Sequence, residues 1–296
     1  MDNILVGTTS WTDKTLIASG LFYPRDVKTA EARLRYYASQ FPVVEVDSSY
    51  YAMPSERNSM LWVERTPVTF VFDIKAFRLF TQHQTPLSAL PADIRAALGK
   101  IDKANVYYRD LADELIDEMW TRFRTAITPL DRAGKLGVVV FQFPPWFIYR
   151  RSNLQHILQC AQRLNGYRIA VEFRNISWLG DKHREDVLAF EKEHRLAHVV
   201  VDEPQGFSSS IPAVWEVTCP DVVAVRLHGR NRATWEKKGL TAAERFNYLY
   251  TADELKEFVD PVRKLAAHAQ RVHVLFNNCY RNNAQQNAAE LQRLID

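Results

Sequence analysis

Ile169-Ala170-Val171-Glu172-Phe173-Arg174-Asn175 is a short apolar run that carries a carboxylate and a guanidinium two residues apart. Side chains two apart in a strand point the same way, so Glu172 and Arg174 share a face. Taken alone, the pair reads equally as a buried ion pair or an edge strand, since buried charges normally occur paired. Repetition carries the argument further. Val43-Val44-Glu45-Val46-Asp47-Ser48-Ser49, Val71-Phe72-Asp73-Ile74-Lys75, Val138-Val139-Val140-Phe141-Gln142, Val199-Val200-Val201-Asp202, Val222-Val223-Ala224-Val225-Arg226-Leu227-His228 and Val272-His273-Val274-Leu275-Phe276-Asn277-Asn278 are each apolar at the start and polar at the C-terminal end.

With Ile4 to Ser10 as a first strand, the chain has about eight strands, most followed by a helical segment, an order that predicts a (β/α)8 TIM-like barrel. Leu34, Tyr37, Ala38 and Phe41 fall on one side of a helix that Pro42 stops, and Ser55 is placed to cap a helix running to Arg65. Ser152 with Gln155, and Thr251 with Glu254, have capping-box spacing. Further helices are expected over His183 to His194 and Asn283 to Ile295. Ala76 to Gly134 is a long insertion, with helical segments at Ile94 to Ile101 and Leu111 to Ile127, and loops of that length in a compact domain are usually functional or partly folded. An open doubly wound sheet is the rival, but no Gly-x-Gly-x-x-Gly follows the first strand.

The 296 residues, 47% of them hydrophobic, suffice for one large barrel, and residues 1–296 are expected to form a single domain. Lys and Arg number 38 against 35 Asp and Glu, a surplus of +3 that neither argues for a nucleic-acid partner nor excludes one. Cys160, Cys219 and Cys279 are far apart with no Cys-x-x-Cys, which suggests neither a disulfide framework nor a thiolate zinc site and fits a reducing cytoplasm. No apolar run approaches the roughly 20 residues of a bilayer span, so no membrane association is expected.

In a TIM barrel the active site lies at the C-terminal mouth of the strands. There the expected residues are Glu45, Asp47, Asp73, Lys75, Gln142, Glu172, Arg174, Asp202, Arg226, His228, Asn277 and Asn278. Crowded carboxylates in a low-dielectric mouth push some pKa values up, as a general acid or base near neutrality requires. Glu172 is the first choice for that role, with Lys75, Glu45 and His228 as further catalytic candidates. Arg174 and Arg226 would orient an anionic group, with Asp47, Asp73, Gln142, Asp202, Asn277 and Trp11 completing the substrate site. The alternative is a salt-bridged plug inside the barrel.

Glu45, Glu172, Asp202 and His228 would also make a mixed oxygen and nitrogen set for a metal, yet no His-x-His or His-Glu-x-x-His supports it, and no motif identifies a cofactor. Lys75 as a Schiff-base lysine is a minor option beside an ion pair. Trp11, Phe22, Tyr23, Tyr50, Tyr51, Trp146, Phe147, Trp178 and Trp235 gather near the strand ends, to stack on a sugar or base or to pack the barrel's roof.

Gly7-Thr8-Thr9-Ser10-Trp11, Phe22-Tyr23-Pro24, Val44-Glu45-Val46-Asp47-Ser48-Ser49-Tyr50-Tyr51, Phe70-Val71-Phe72-Asp73-Ile74-Lys75, Phe141-Gln142-Phe143-Pro144-Pro145, Val171-Glu172-Phe173-Arg174, Arg226-Leu227-His228-Gly229-Arg230 and Phe276-Asn277-Asn278 together resemble the YecE-like family, a widespread domain of unknown function. The resemblance runs from Val6 almost to the C-terminus. It implies a TIM-like barrel and brings no established activity. The sequence departs from the family pattern at Asp47, where asparagine is frequent, at Ser10, where glycine is usual, and at Cys279, where histidine or asparagine often follows the two asparagines.

These readings lead to an acid–base enzyme acting on a small polar substrate, anionic in character. A metal-dependent hydrolase or nuclease is the second reading. A non-catalytic nucleic-acid or partner-binding module, using the basic loop from Arg230 to Lys238, is the third.

Overall fold

The structure, a computed structural model, describes residues 3–99 and 103–296. In chain order the first part contains β1 (Ile4–Thr8), α1 (Lys14–Ser19), α2 (Ala30–Gln40), β2 (Val43–Val46), α3 (Glu56–Glu64) and β3 (Val71–Lys75). An insertion then carries β4 (Thr85–Pro86), α4 (Ala92–Ala97) and β5 (Asn105–Val106), before α5 (Asp113–Arg132) returns the chain to the barrel. There follow β6 (Leu136–Gln142), α6 (Arg151–Arg163), β7 (Ile169–Glu172), α7 (Ile176–Leu179), α8 (Arg184–Glu193) and β8 (Ala197–Asp202). The chain ends with β9 (Val223–Leu227), α9 (Ala242–Arg245), α10 (Ala252–Ala266), β10 (Val272–Phe276) and α11 (Asn283–Ile295). No helix among the described residues is long and apolar enough to cross a membrane.

Eight parallel strands close in the order β1, β10, β9, β8, β7, β6, β3, β2, while β4 and β5 form a separate antiparallel pair. The fold is therefore a TIM-like barrel with long insertions, as the polar-ended apolar runs predict. Ser55 caps α3 by accepting from the Asn58 amide, and Thr251 and Glu254 cap α10 reciprocally. The Ser152–Gln155 box does not form, because α6 starts at Arg151 and leaves Ser152 inside the first turn. Likewise α4 stops at Ala97, two residues before Gly99 turns left-handed at φ +70°; Ile101 lies outside the described residues.

One crossover lacks a helix. Between β8 and β9 the segment holding Pro204, Gly206, Pro212 and Pro220 cannot sustain one, and it is tied to the barrel instead. The Thr218 hydroxyl accepts from the His198 amide at 2.7 Å and donates to the Leu196 carbonyl at 2.7 Å.

Register sets the interior. Glu45 lies opposite Asp73, Gln142 opposite Glu172, and Arg226 between Leu275 and Val201, all on neighbouring strands. Leu5, Val43, Val71 and Leu275 form an apolar storey inside the barrel. Polar residues follow toward the strands' C-terminal ends.

Close approach of β1 to β2 requires Gly7. A Cβ there would stand 2.0 Å from the Val43 carbonyl oxygen, which is backbone and cannot swing away. Gly7→Ala is therefore expected to cost at least ~1–3 kcal/mol, the usual price of overpacking. Urea denaturation tests this; a midpoint equal to wild type would show that the barrel can open there.

Candidate active site

Arg226 organises the polar storey. Its Nη2 donates to Glu45 Oε1 at 2.7 Å and its Nη1 donates to Glu172 Oε2, so one guanidinium bridges carboxylates from β2 and β7. All three side chains are fully buried. Glu172 Oε1 also accepts from Gln142 Nε2 at 2.6 Å, Arg174 Nη1 at 3.2 Å and His228 Nε2 at 3.0 Å. His228 Nδ1 meets Asn277 Nδ2 at 2.7 Å, and Asn277 Oδ1 accepts from the Thr9 hydroxyl at 2.6 Å. That amide orientation makes Nδ1 the acceptor and leaves the imidazole proton on Nε2, facing Glu172.

The environments drive the titrating groups apart. Burial acts to raise the Glu172 pKa, but Arg226, His228 and Arg174 outweigh it and hold the carboxyl well below its usual range. Burial prevails at Glu45, where Arg226 and Lys75 oppose it only in part, and its pKa rises to about 7. Burial also lowers the His228 pKa to about 3, so the imidazole is neutral. The result is an ionised glutamate, a neutral histidine and a second glutamate poised near neutrality, all linked through Arg226 or Glu172.

Above this layer lies a rim that meets solvent. Lys75 Nζ pairs with Asp47 Oδ1 at 2.6 Å, with side-chain exposures of 10% and 28%, and sits 4.9 Å above the Tyr50 ring. Arg78 covers the same ring at 5.0 Å. Arg174, 13% exposed, spans Glu172 and Glu203, the latter at 3.4 Å, and lies 4.8 Å over the Trp235 ring. Burial lowers the His83 pKa to about 3, with Lys75, Arg78 and Arg174 adding to the effect, which marks the rim beside it as electropositive.

Of the sequence-predicted residues, Glu45, Glu172, His228, Arg226, Arg174, Gln142, Lys75, Asp47 and Asn277 come together. Three do not. Asp73 points into the barrel but is wholly buried, accepting from the Val138 amide at 2.9 Å and pairing with His273 Nδ1 at 2.9 Å. Asp202 faces outward, because its register partner is Leu227 whereas inward Val201 pairs with inward Arg226. There it binds Arg230 at 3.0 Å and accepts from the Tyr250 hydroxyl at 2.7 Å. Trp11 packs edge-on against Trp62 and Phe72 with centroids 5.8 and 6.4 Å away.

Asp202's orientation also removes it from the metal set with Glu45, Glu172 and His228. Among the described residues no group of three His, Cys, Asp or Glu side chains is arranged to hold an ion. In the basic loop Arg230 is engaged by Asp202, Glu254 and Glu257, and Arg232 donates to the Gln205 carbonyl. Of the aromatics, Trp11, Tyr23, Phe147, Trp178 and Trp235 are buried, while Tyr51 and Trp146 stand exposed.

Sequence reasoning missed Glu203, Arg78 and His83. Glu203 is two residues beyond Val201 on the inward side, so strand alternation could have found it; burial raises its pKa to about 7. The other two lie in the insertion, where no period guides the reading.

The comparisons with known proteins agree with this architecture. A family model described as "Protein of unknown function DUF72" matches residues 5–296. The chain is 34% identical over 297 residues to the UPF0759 protein YunF of Bacillus subtilis (strain 168), covering 99% of this chain and 95% of that protein. A solved DUF72 family protein from Enterococcus faecalis V583 superposes with a TM-score of 0.79 at 27% identity, covering 99% of this chain and 95% of its own. Another from Thermotoga maritima MSB8 gives 0.75 at 29% identity, with coverages of 99% and 98%.

The protonation pattern has a measurable consequence for stability. Glu45 titrates at about 7 when folded against an ordinary 4.5, so the folded state holds the extra proton in between, and stability is lost as pH rises through that window. In Glu45→Gln this contribution disappears. The stability of wild type relative to Glu45→Gln is expected to fall by on the order of 3 kcal/mol from pH 4.5 to above 7. Denaturant titrations at several pH values measure it, and a flat difference would mean that Glu45 ionises as an ordinary carboxyl.

Proposed function

Because the chain belongs to the DUF72 family of unknown function, with which its YecE-like motifs are consistent, we propose from the chemistry of the mouth that it is an acid–base enzyme acting on a small anionic substrate. The observation that carries this reading is the Glu45–Arg226–Glu172 bridge, two carboxylates on one guanidinium with protonation tendencies driven in opposite directions. Pairs separated in this way supply a proton carrier and a fixed charge side by side.

The sequence favours Glu172 for proton transfer, but four side-chain donors favour its ionised form, which suits an electrostatic anchor. Glu45 fits the transfer role better: its pKa is about 7, and its Oε2 is buried without a hydrogen-bond partner. In this reading Lys75 and Arg174, the cations that meet solvent, hold the anionic group of the substrate over Glu45. His228 keeps Glu172 oriented through its Nε2 proton, and Asn277 fixes that tautomer.

A thermal-shift screen of small carboxylates and phosphate esters near pH 7 is the first test. A true ligand at a hundred times its Kd adds about 2.7 kcal/mol of stability, and Lys75→Met or Arg174→Ala should abolish most of that gain. With a substrate in hand, Glu45→Gln is expected to retain binding and to lose ~10²–10⁴-fold in kcat. Full turnover by Glu45→Gln, or a screen in which no anion binds, would overturn the assignment.

A further inference from the structure

Beside the mouth, the insertion between β3 and β6 shapes a hollow. It is a groove of about 490 Å³ lined by Gln82, Gln84, Tyr107, Arg109, Trp146 and Arg150. Small-molecule sites occupy roughly 300–1,000 Å³. Trp146 follows the Pro144-Pro145 turn and is 58% exposed, although an indole in that position gains nothing for the fold by standing in water.

A line of side-chain contacts joins the groove wall to the mouth. The Trp146 ring lies 5.8 Å from His83, His83 lies 5.1 Å from Tyr50, and Tyr50 carries Lys75 and Arg78 on its face at 4.9 and 5.0 Å. A 2.8 Å bond between the Thr81 hydroxyl and Nδ1 steadies the His83 ring in that line. Arg109 lies 5.6 Å over Tyr107 at the far side, and Arg150 stands at the entry to α6. An open indole face, two guanidinium groups and two side-chain amides suit a ligand with a flat ring, a phosphate and polar edges.

We propose that this groove binds a nucleoside phosphate, its base stacked on Trp146 and its phosphate held by Arg109 and Arg150. The contacts from Trp146 through His83 and Tyr50 run toward Lys75, so the nucleoside phosphate is the recognition handle of a substrate whose reactive end reaches the mouth. That last step rests on the acid–base reading, whereas occupancy of the groove does not.

Adenosine 5′-monophosphate is the probe, with binding followed by calorimetry and tryptophan fluorescence. Adenosine and ribose 5-phosphate should each bind at least ten times more weakly than the whole nucleotide. Trp146→Ala and Arg150→Ala, both at exposed positions, should each weaken it about ten-fold or more, in keeping with the worth of one stacked base or one charged contact. No binding at millimolar nucleotide, or affinity unchanged in both variants, overturns the proposal. Affinity lost only in Lys75→Met and Arg174→Ala would put the phosphate in the mouth, overturning the groove while leaving the acid–base reading intact. An oligonucleotide binding far more tightly than the mononucleotide, with the same dependence on Trp146, would make the groove a strand-binding surface and also overturn it.

Discussion

The Arg226 guanidinium, enclosed between Glu45 and Glu172, is the interaction on which the polar half of the barrel depends. Each desolvated ion costs several kcal/mol, and the attraction between partners offsets this only when geometry and additional hydrogen bonds are good. Glu172 meets that condition through Gln142, Arg174 and His228. Glu45 does not, since one of its oxygens lacks a partner, and the deficit appears as a carboxyl held at about 7. The same guanidinium thus lies between a saturated carboxylate and an unsaturated one.

Two other buried acid–histidine pairs show what a structural solution looks like in this fold. Asp73 and His273 bind across the barrel interior at 2.9 Å, and Glu191 of α8 binds His198 of β8 at 3.1 Å. Each is a closed pair. The Arg226 cluster differs in being branched and in reaching, through Glu172, the partly exposed Arg174 of the rim that also holds the Lys75–Asp47 pair. A plug for the barrel would need no such outlet.

Much of this was legible in the sequence because strand alternation and barrel closure act together. Apolar runs ending in Glu172-Phe173-Arg174, Arg226-Leu227-His228 and Glu45-Val46-Asp47 place same-side pairs at one end of parallel strands, and closing the sheet brings them together. Depth was not legible. Asp73 and Lys75 have the same parity, yet only Lys75 reaches the rim, because the level of a residue depends on strand tilt and stagger. Parity misleads at Asp202, because the last polar residue of the apolar run faces outward and Glu203, one residue on, faces inward. The insertion obeys no period, so His83, Arg78 and the groove beneath Trp146 emerge only when the chain is folded.

The layering of charge ties binding to protonation. Lys75 is one of the groups that keep the Glu45 pKa from rising further. An anion held on Lys75 would cancel part of that positive potential, so the carboxyl below would bind its proton more tightly at the moment the ligand arrives. Linkage requires the converse as well, with the protonated mouth holding an anion better than the ionised one. In the proposed reading the substrate therefore arms its own acid, whereas Glu172, fixed in its charge by Arg226, His228 and Arg174, keeps the cluster assembled through the change.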